Sequence, residues 1–524
     1  MSSYLTPGVY IEELPSGSRP IEGVPTSIAC FIGYTERGPM TTPTLIGSWD
    51  DYERSFGGLR RETTLVPGAA APLGDPMGHA VSAFFLNGGS RAYIVRLATE
   101  AGPATAEIDD GTVLLTATAA NEGTWGDGLV LRLTPRVEGG ATVFDARGGR
   151  LDAAGRLVVL EQLGSVVPET GLPNSIGPMI GAASRLLRVE VPAGREAALR
   201  AHLQAAAGAT DVTLAGGDNG TAPGQDEFED AFAALARVRD ANILLLPGQS
   251  WSATGGRALL ELAIGHCEAM RNRMLLIDLP PGQELDNESE VNDLDLPTST
   301  YAVSYYPWPL LANPFHSKDP NPDTGAGPAV PRTVLVSPGA LAAGLWAKTD
   351  ARRGVWKAPA GIEFPLLGVQ ALEFTVDNAE QDFLNPAGVN AMRRMPGFGP
   401  VVWGTRTRST RANPEWRYVP VRRTAIFIEE SIHGSIQWAV FEPNDHRLWS
   451  SLRANIESFM NGLFRAGAFQ GEKASDAYFV KCGLGQTMTQ DDIDRGQVIV
   501  LVGFAPLKPA EFVIVRIQQK VGQQ

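Results

Sequence analysis

The chain ends in a segment that is apolar on both faces when extended. Its side chains alternate between two sides: Phe512, Val513, Ile514, Val515, Arg516 and Ile517. The segment follows a proline-rich break at residues 506–509, close to the C-terminus, where chains commonly fray. A strand of this kind needs partners on its edges and cover on its faces. It therefore either folds against its own domain or pairs with a neighbouring copy.

A second isolated strand is predicted near the N-terminus. It consists of Val9, Tyr10, Ile11 and Glu12. Pro7 and Gly8 precede it, and a linker rich in proline, serine and glycine follows at residues 15–20. Two end strands on such tethers allow both explanations: each forms an edge of its own domain, or each is exchanged between subunits by β-augmentation.

Between the two ends, buried-strand patterns alternate with amphipathic helices. Helices are predicted at residues 49–56, 77–86, 226–239 and 256–270, and another begins at Pro338. Strands are predicted at residues 27–33, 91–96, 242–246, 273–278, 299–305 and 332–336. Strands that are apolar on both faces are typical of a mainly parallel sheet covered by helices. The predicted fold class is therefore α/β, with all six strands in one core.

Residues 99–220 have a different composition, rich in alanine, glycine, threonine and valine, and without lysine. Short strands separated by glycine turns, with one helix at residues 195–206, predict an inserted, mainly β outer domain. Two exposed loops are expected in the core. One is the acidic segment 284–295, and the other is segment 307–331, which is rich in proline and asparagine. The predicted organisation is an arm and linker (1–22), a divided α/β core (23–98 and 221–402), the insertion (99–220) and a C-terminal α+β domain (403–524).

A long helix in the last domain is predicted to begin after Asp445 and to end near Arg465, before Gly467. One of its faces is strongly apolar and is expected to face the core. The opposite line is Arg447, Ser451, Ala454, Ser458, Asn461 and Arg465. Small residues between two arginines are compatible either with plain solvent exposure or with close approach by another surface.

Charge and composition exclude several classes of function. The net charge of −14 argues against a nucleic-acid partner, because phosphate binding needs concentrated lysine and arginine. The longest apolar run, at residues 498–507, is too short to span a bilayer, and the first twenty residues lack a secretion-signal pattern. Three widely spaced cysteines are typical of a reducing compartment. We therefore expect synthesis in the cytoplasm and no membrane contact by the subunit.

No pattern in the sequence predicts catalysis, a metal or a cofactor. A phosphate-binding Gly-x-x-x-x-Gly-Lys-Ser/Thr loop is absent, and the six histidines are scattered without serine or aspartate in motif context. His266 and Cys267 are adjacent on a predicted helix, so their side chains diverge by about 100°, and structural burial is the expected reason for the pair. The acidic loop lacks the central glycine of a calcium-binding loop.

Several long blocks of the chain resemble the contractile tail sheath proteins of phages and of phage-like injection systems. In chain order they read YLTPGVYIEELPSGSRPIEGVPTSIACFIGYTERGP, FFLNGGSRAYIVRL, GTWGDGLV, GVWKAPAG, NAMRRMPGFGPVVWGTRT, EWRYVPVRRTAIFIEESI, WAVFEPND and APLKPAEFVIVRI. They cover both ends and the α/β body, whereas residues 99–220 share only GTWGDGLV with the family. The resemblance implies a structural protein without enzymatic activity.

In particular, the resemblance implies stacked six-membered rings around an inner tube, joined by exchange of both end strands. It also implies a subtilisin-like core, and a C-terminal domain on the tube with the Arg447 to Arg465 line facing it. The implied partners are further copies of the chain, the tube protein, baseplate proteins and a terminal cap. The alternatives are a sheath paralogue, a cap-proximal or baseplate-linked shell subunit and, from the α/β body, a subtilisin-like hydrolase.

Overall fold

The computed structural model describes residues 20–61, 68–206, 208–252, 256–316, 330–409 and 413–511. These residues form two compact units. The terminal unit comprises the described parts of residues 1–26, 353–358 and 420–524, and the central unit comprises those of 27–352 and 359–419. Both predicted end strands, at residues 9–12 and 512–517, lie outside the described residues.

The strands are β1 (Ala29–Gly33), β2 (Thr44–Ile46), β3 (Ala92–Arg96), β4 (Thr105–Asp109), β5 (Val113–Ala119), β6 (Leu129–Glu138), β7 (Ala141–Leu151), β8 (Leu157–Val166), β9 (Leu187–Glu190), β10 (Thr210–Thr213), β11 (Ile243–Leu245), β12 (Met274–Asp278), β13 (Ala302–Tyr306), β14 (Pro309–Ala312), β15 (Thr333–Leu335), β16 (Val369–Leu372), β17 (Val389–Met395), β18 (Gly399–Trp403), β19 (Tyr478–Cys482) and β20 (Val500–Phe504). The α-helices are α1 (Trp49–Phe56), α2 (Pro76–Leu86), α3 (Ile176–Ala183), α4 (Glu196–Ala205), α5 (Gln225–Leu235), α6 (Arg257–Met270), α7 (Glu288–Asp293), α8 (Pro338–Arg353), α9 (Asn378–Leu384), α10 (Val419–Ser435), α11 (His446–Arg465), α12 (Ala474–Ala477) and α13 (Gln490–Asp494). Short 3₁₀ helices cover Thr124–Gly126, Pro414–Trp416 and Gln437–Ala439.

The central unit is built on an eight-stranded sheet in the order β18-β17-β13-β12-β11-β1-β3-β2. Its inner strands run parallel, and only the edge strands β2 and β18 are antiparallel to their neighbours. Every residue of β1, β12 and β13 is buried, so both faces of the sheet are covered. The predicted α/β class with a mainly parallel sheet is confirmed.

One strand prediction in this unit is wrong. Residues 332–336 do not continue the main sheet, because β15 pairs antiparallel with β14 in a separate sheet of order β15-β14-β16. There Leu335 packs against Trp308 and Leu310, which gives its apolar side chain a different buried site. The main sheet continues instead through β17, which pairs with β13.

The predicted loops also contain regular structure. The acidic segment 284–295 includes α7, whose N-cap Asn287 accepts a 3.0 Å hydrogen bond from the backbone N–H of Glu290. The segment 307–331 includes β14. The acidic composition correctly indicated exposure of most of residues 284–295, whereas residues 307–311 are buried and not the exposed loop predicted. A capped six-residue helix and a four-residue strand are too short for a periodic pattern to show.

The insertion is mainly β, as predicted. Its strands form two antiparallel sheets, ordered β10-β6-β7-β8 and β4-β5-β9. These sheets share one buried cluster with α3 and α4, in which Trp125, Phe144 and Leu199 are the central large side chains. The long hairpin of β7 and β8 was not predicted, because Gly148 and Gly149 interrupt its alternation where the register shifts.

The terminal unit packs α10 and α11 beneath the hairpin of β19 and β20. Its main cluster joins Ile428 of α10, Ile456 and Met460 of α11, and Val480 of β19. The predicted C-terminal domain begins at residue 403, whereas Trp403 ends β18, and residues 403–419 belong to the central unit. The other predicted domain limits remain a prediction.

Candidate assembly surface

The hairpin of β19 and β20 has open edges. The two strands pair antiparallel from Tyr478 with Phe504 to Cys482 with Val500, and within the described residues they form a sheet of only two strands. Each strand therefore has one edge without a strand partner in the described part of the chain. Because an isolated two-stranded sheet is marginal in water, such edges are ready sites for an added strand.

The outer face of this hairpin is partly apolar. Phe479 is 46% exposed and Leu501 is 50% exposed. The Phe479 ring lies against Gly503, where a Cβ atom would come within 2.4 Å of it, and the Lys481 ammonium lies 5.4 Å from the ring centroid. The inner face packs on α11 through Val480 and Cys482. The hairpin thus presents open edges and an uncovered apolar face together.

Helix α11 supports the hairpin and begins at the predicted cap. The Asp445 carboxylate accepts hydrogen bonds from the backbone N–H groups of Arg447 and Leu448, at 2.9 and 3.0 Å. The hydrogen bond from the Leu448 N–H is the main cause that lowers the pKa of Asp445, and the bond from the Arg447 N–H adds to it. The apolar face is buried as predicted, through Leu448, Trp449, Leu452, Ile456, Met460 and Leu463. Two of the free N–H groups at the start of α11 are therefore satisfied, and the orientation of the helix is set by its core face.

The predicted contact line lies on the other side of α11. Arg447, Ala454, Ser458 and Arg465 are exposed. Ser451 and Asn461 are half-buried, and the Asn461 amide donates a 3.2 Å hydrogen bond to the Tyr478 hydroxyl. The structure therefore brings the two arginines and the small residues between them to one surface. Exposed Glu457 flanks this line and was not included in the prediction.

The chain enters the terminal unit along α10. The Val24 backbone N–H donates to the Ser431 hydroxyl at 3.1 Å, and the Arg423 guanidinium donates to the Thr26 carbonyl at 2.8 Å. Ile21 is buried in the cluster beneath the hairpin. Residues 20–26 therefore hold the base of the N-terminal arm on the same unit that carries the open hairpin.

A groove runs beside α11 next to the predicted contact line. It has an empty volume of about 1030 Å³ and is lined by Pro20, Ile21, Gly23, Phe427, Ala454, Asn455, Ser458, Phe459, Gly462 and Leu463. Asn455 is only 8% exposed, and its amide nitrogen has no hydrogen-bond partner among the described residues. A buried amide without an acceptor is costly, and this unsatisfied donor is buried beneath the groove surface. No local sequence pattern predicts this groove, because its walls come from three separate segments.

A cavity in the central unit contains the residue types that a serine hydrolase would need. It has an empty volume of about 370 Å³, and its lining includes Asp75, His79, Ser250 and Ser337. Burial raises the pKa of nearby Asp278 to about 6, and this carboxyl group accepts from the Gly339 N–H at 2.7 Å and from Ser337. Among the described residues, no hydrogen bond joins the His79 ring to a serine or a carboxylate. The arrangement thus provides no support for a Ser-His-Asp relay.

The remaining reactive groups are also in structural positions. Burial raises the pKa of the Cys267 thiol to about 12, and burial together with Arg273 lowers the pKa of His266 to about 4. The described segments contain no group of three or more metal-ligating side chains. Likewise, no helix within the described ranges is long and apolar enough to cross a membrane.

Comparison with known protein families gives two matches that together cover more than half of the chain. Residues 221–408 match the phage tail sheath protein central domain, and residues 411–520 match the phage tail sheath C-terminal domain. The tail sheath protein of Burkholderia phage BcepMu is 24% identical over 486 residues, which are 89% of this chain and 88% of that protein.

Solved structures with the same fold include chains of two contracted sheaths and a crystallised sheath tail protein. The helical sheath of the anti-feeding prophage (AFP) in its contracted state contains a chain that is 25% identical, with a TM-score of 0.54 over 99% of this chain and 100% of that one. The contracted PVC sheath complex of an extracellular contractile injection system gives 23% identity and a TM-score of 0.57, with 99% of each chain covered. A sheath tail protein of Listeria innocua is 12% identical with a TM-score of 0.60, covering 93% of this chain and 96% of that chain.

Proposed function

Because the chain belongs to the contractile tail sheath protein family and is thus a structural subunit of a contractile sheath, we propose that it polymerises as stacked hexameric rings around an inner tube. In this proposal the N- and C-terminal strands of each subunit join neighbouring copies. The particle is a phage tail or an injection system, assembled in the cytoplasm.

The open hairpin is the observation that carries the proposal. β19 and β20 each span five residues, which is close to the length of the apolar segment 512–517 and of residues 9–12. The exposed side chains of Phe479 and Leu501 can pack against apolar side chains on the same face of the incoming strands. Two donated strands, one on each edge, complete a four-stranded sheet on α11.

Exchanged strands on tethers can keep subunits connected while the sheath lattice shortens. Each exchanged strand is attached to its own body through a tether, residues 15–20 at one end and 506–509 at the other. Backbone hydrogen bonds contribute about 0.5–1.5 kcal/mol each, so a joint of several bonds persists while the bodies rotate and repack. The sequence contains no phosphate-binding loop. The work of contraction therefore comes from an extended lattice of higher free energy than the contracted one.

The tube-facing surface is assigned to the outer line of α11. Arg447 and Arg465 lie at opposite ends of this line, and the small side chains of Ala454 and Ser458 allow close approach between them. A guanidinium binds carboxylates through two parallel hydrogen bonds, so we assign acidic groups on the tube protein as the partners of both arginines.

Baseplate and terminal cap proteins are the further proposed partners. Support comes from the six-fold symmetrised AFP baseplate structure, which contains a chain 25% identical to this one with a TM-score of 0.53. A baseplate-linked shell paralogue remains the second candidate function, since the same fold occurs in that assembly. The two functions predict different polymers, long tubes for a sheath and short rings for a shell.

Electron microscopy of the expressed protein tests the proposal. A sheath subunit forms hollow, six-fold tubes that shorten when the extended particle is triggered. Single rings that never stack would favour the shell function, and monomers at high concentration would contradict both. A peptidase assay on the same preparation tests the hydrolase alternative, for which we expect no activity above buffer.

A further inference from the structure

The loop between α10 and α11 holds an aromatic side chain fully in solvent. Phe441 is 102% exposed, and its neighbour Val440 is 58% exposed. The backbone of Phe441 has a φ of 70°, in the left-handed region that bulky side chains rarely adopt. Exposure and backbone strain are both unfavourable for the isolated subunit, so this residue is costly unless a partner covers it.

The loop is well anchored at its base. The N–H groups of Ala439, Val440 and Glu442 donate to the carbonyl groups of Ile436, Gln437 and Ala439, at 2.9, 3.2 and 3.3 Å. Trp438 and Ala439 pack against the cluster that contains Leu448 and Trp449. By contrast, the carbonyl groups of Val440 and Phe441 accept no backbone hydrogen bond from any described residue. The loop is thus anchored at its base and projects an apolar tip.

The groove beside α11 has the complementary properties. Phe427, Phe459 and Leu463 form its apolar walls, and Gly462 leaves space beside the helix. The groove therefore offers apolar walls and open space for the apolar tip of the loop.

The charges beside the two features also match. Exposed Glu442 follows Phe441 directly, and exposed Arg465 lies one turn beyond Gly462 at the end of the groove. Neither side chain forms an ion pair with another described residue. Since Arg465 also lies on the line assigned to the tube, its five donors serve both contacts.

We propose that Phe441 of one copy inserts into the groove of a second copy, between Phe427 and Gly462. This inference rests on the proposed function, because it adds a contact between sheath subunits. The projection and the groove are different patches of one chain, so the contact is head-to-tail and repeats around a ring or along a helix. Repetition also allows a small contact to contribute strongly to the polymer.

Disulfide trapping tests the contact directly. Phe441→Cys and Gly462→Cys are made in separate chains, mixed, assembled and oxidised with diamide. A Cβ at position 462 meets no atom within 4 Å, and the three native cysteines are buried. We expect covalent dimers in the assembled fraction. Glu457→Cys replaces Gly462→Cys in the control, because residue 457 is exposed on the opposite side of α11. Equal cross-linking of both pairs would overturn the proposal.

An assembly titration gives the second readout. Phe441→Ala is expected to raise the concentration for half-maximal assembly about tenfold or more, since a buried aromatic side chain covers 150–250 Å², at about 25 cal/mol per Å². Unchanged thermal unfolding shows that the subunit still folds. Normal assembly of Phe441→Ala contradicts the inference, and a loss confined to tube binding assigns Phe441 to the tube instead. Failure of the unaltered protein to polymerise counts against the proposed function itself.

Discussion

Removal of the C-terminal strand is predicted to abolish polymerisation without unfolding the subunit. Truncation after Glu511 deletes residues 512–524, whereas all of α11 and the hairpin remain. A five-residue edge of the hairpin offers about five backbone hydrogen bonds to an incoming strand, at about 0.5–1.5 kcal/mol each. The loss is therefore about 2.5–7.5 kcal/mol per junction, which is about two to five orders of magnitude in its association constant.

The assay is sedimentation of purified protein over a range of concentrations, with negative-stain microscopy of the pellet. Truncation after Ile517 is the matched control, because it removes seven residues but keeps the apolar segment. We expect tubes from the control and only soluble protein from the shorter chain. Thermal unfolding of both forms checks that the terminal unit is intact.

Tubes formed by the chain that ends at Glu511, at the concentration needed by the full chain, would refute this reasoning. Such a result would mean that contacts between the subunit bodies are sufficient for the polymer. Loss of the folded terminal unit in the truncated form would be a different failure. It would mean that the C-terminal strand pairs with the hairpin of its own subunit.

Three further predictions address the tube, the core and pH. Arg447→Glu with Arg465→Glu should reduce co-sedimentation with the tube protein at least tenfold, with the salt dependence of a charged interface; tube binding equal to that of the unaltered protein would contradict the assignment. Ile456→Ala, at a fully buried site, should destabilise the terminal unit by about 2–5 kcal/mol in urea unfolding, and a change below 1 kcal/mol would contradict its central role. Burial raises the pKa of Asp278 to about 6, so the folded protein keeps a proton on this carboxyl group that the unfolded chain releases near pH 4. The free energy of unfolding therefore falls as the pH rises from about 4 to about 6. Asp278→Asn should therefore gain roughly 3 kcal/mol relative to the unaltered protein between pH 4 and pH 7, and equal pH slopes for the two proteins would contradict this effect.

Periodic patterns predicted the larger elements well. The apolar runs that became β1, β12 and β13 are buried on both faces, and Asp445 and Gly467 delimit α11 as expected. Periodicity reports local burial but not which sheet buries a strand. The residues of β15 looked like part of the parallel core, yet they pair with β14 instead.

The assembly surface was predicted only in part, because most of it is made by segments distant in sequence. The outer line of α11 could be predicted from the sequence, because helix geometry decides which residues lie opposite the apolar face. The open edges of β19 and β20 depend on which strands do not pair, which no local pattern reports. The groove needs Gly23, Phe427 and Gly462 to meet, and the exposure of Phe441 depends on a left-handed backbone conformation.

The most direct test of strand exchange is a cryo-electron microscopy map of the assembled sheath in its extended and contracted states. Strand exchange predicts continuous density from Glu511 to the hairpin of a neighbouring subunit, and from Pro20 to the hairpin of another subunit, in both states. Density that leads each end back to β19 or β20 of its own subunit would contradict it.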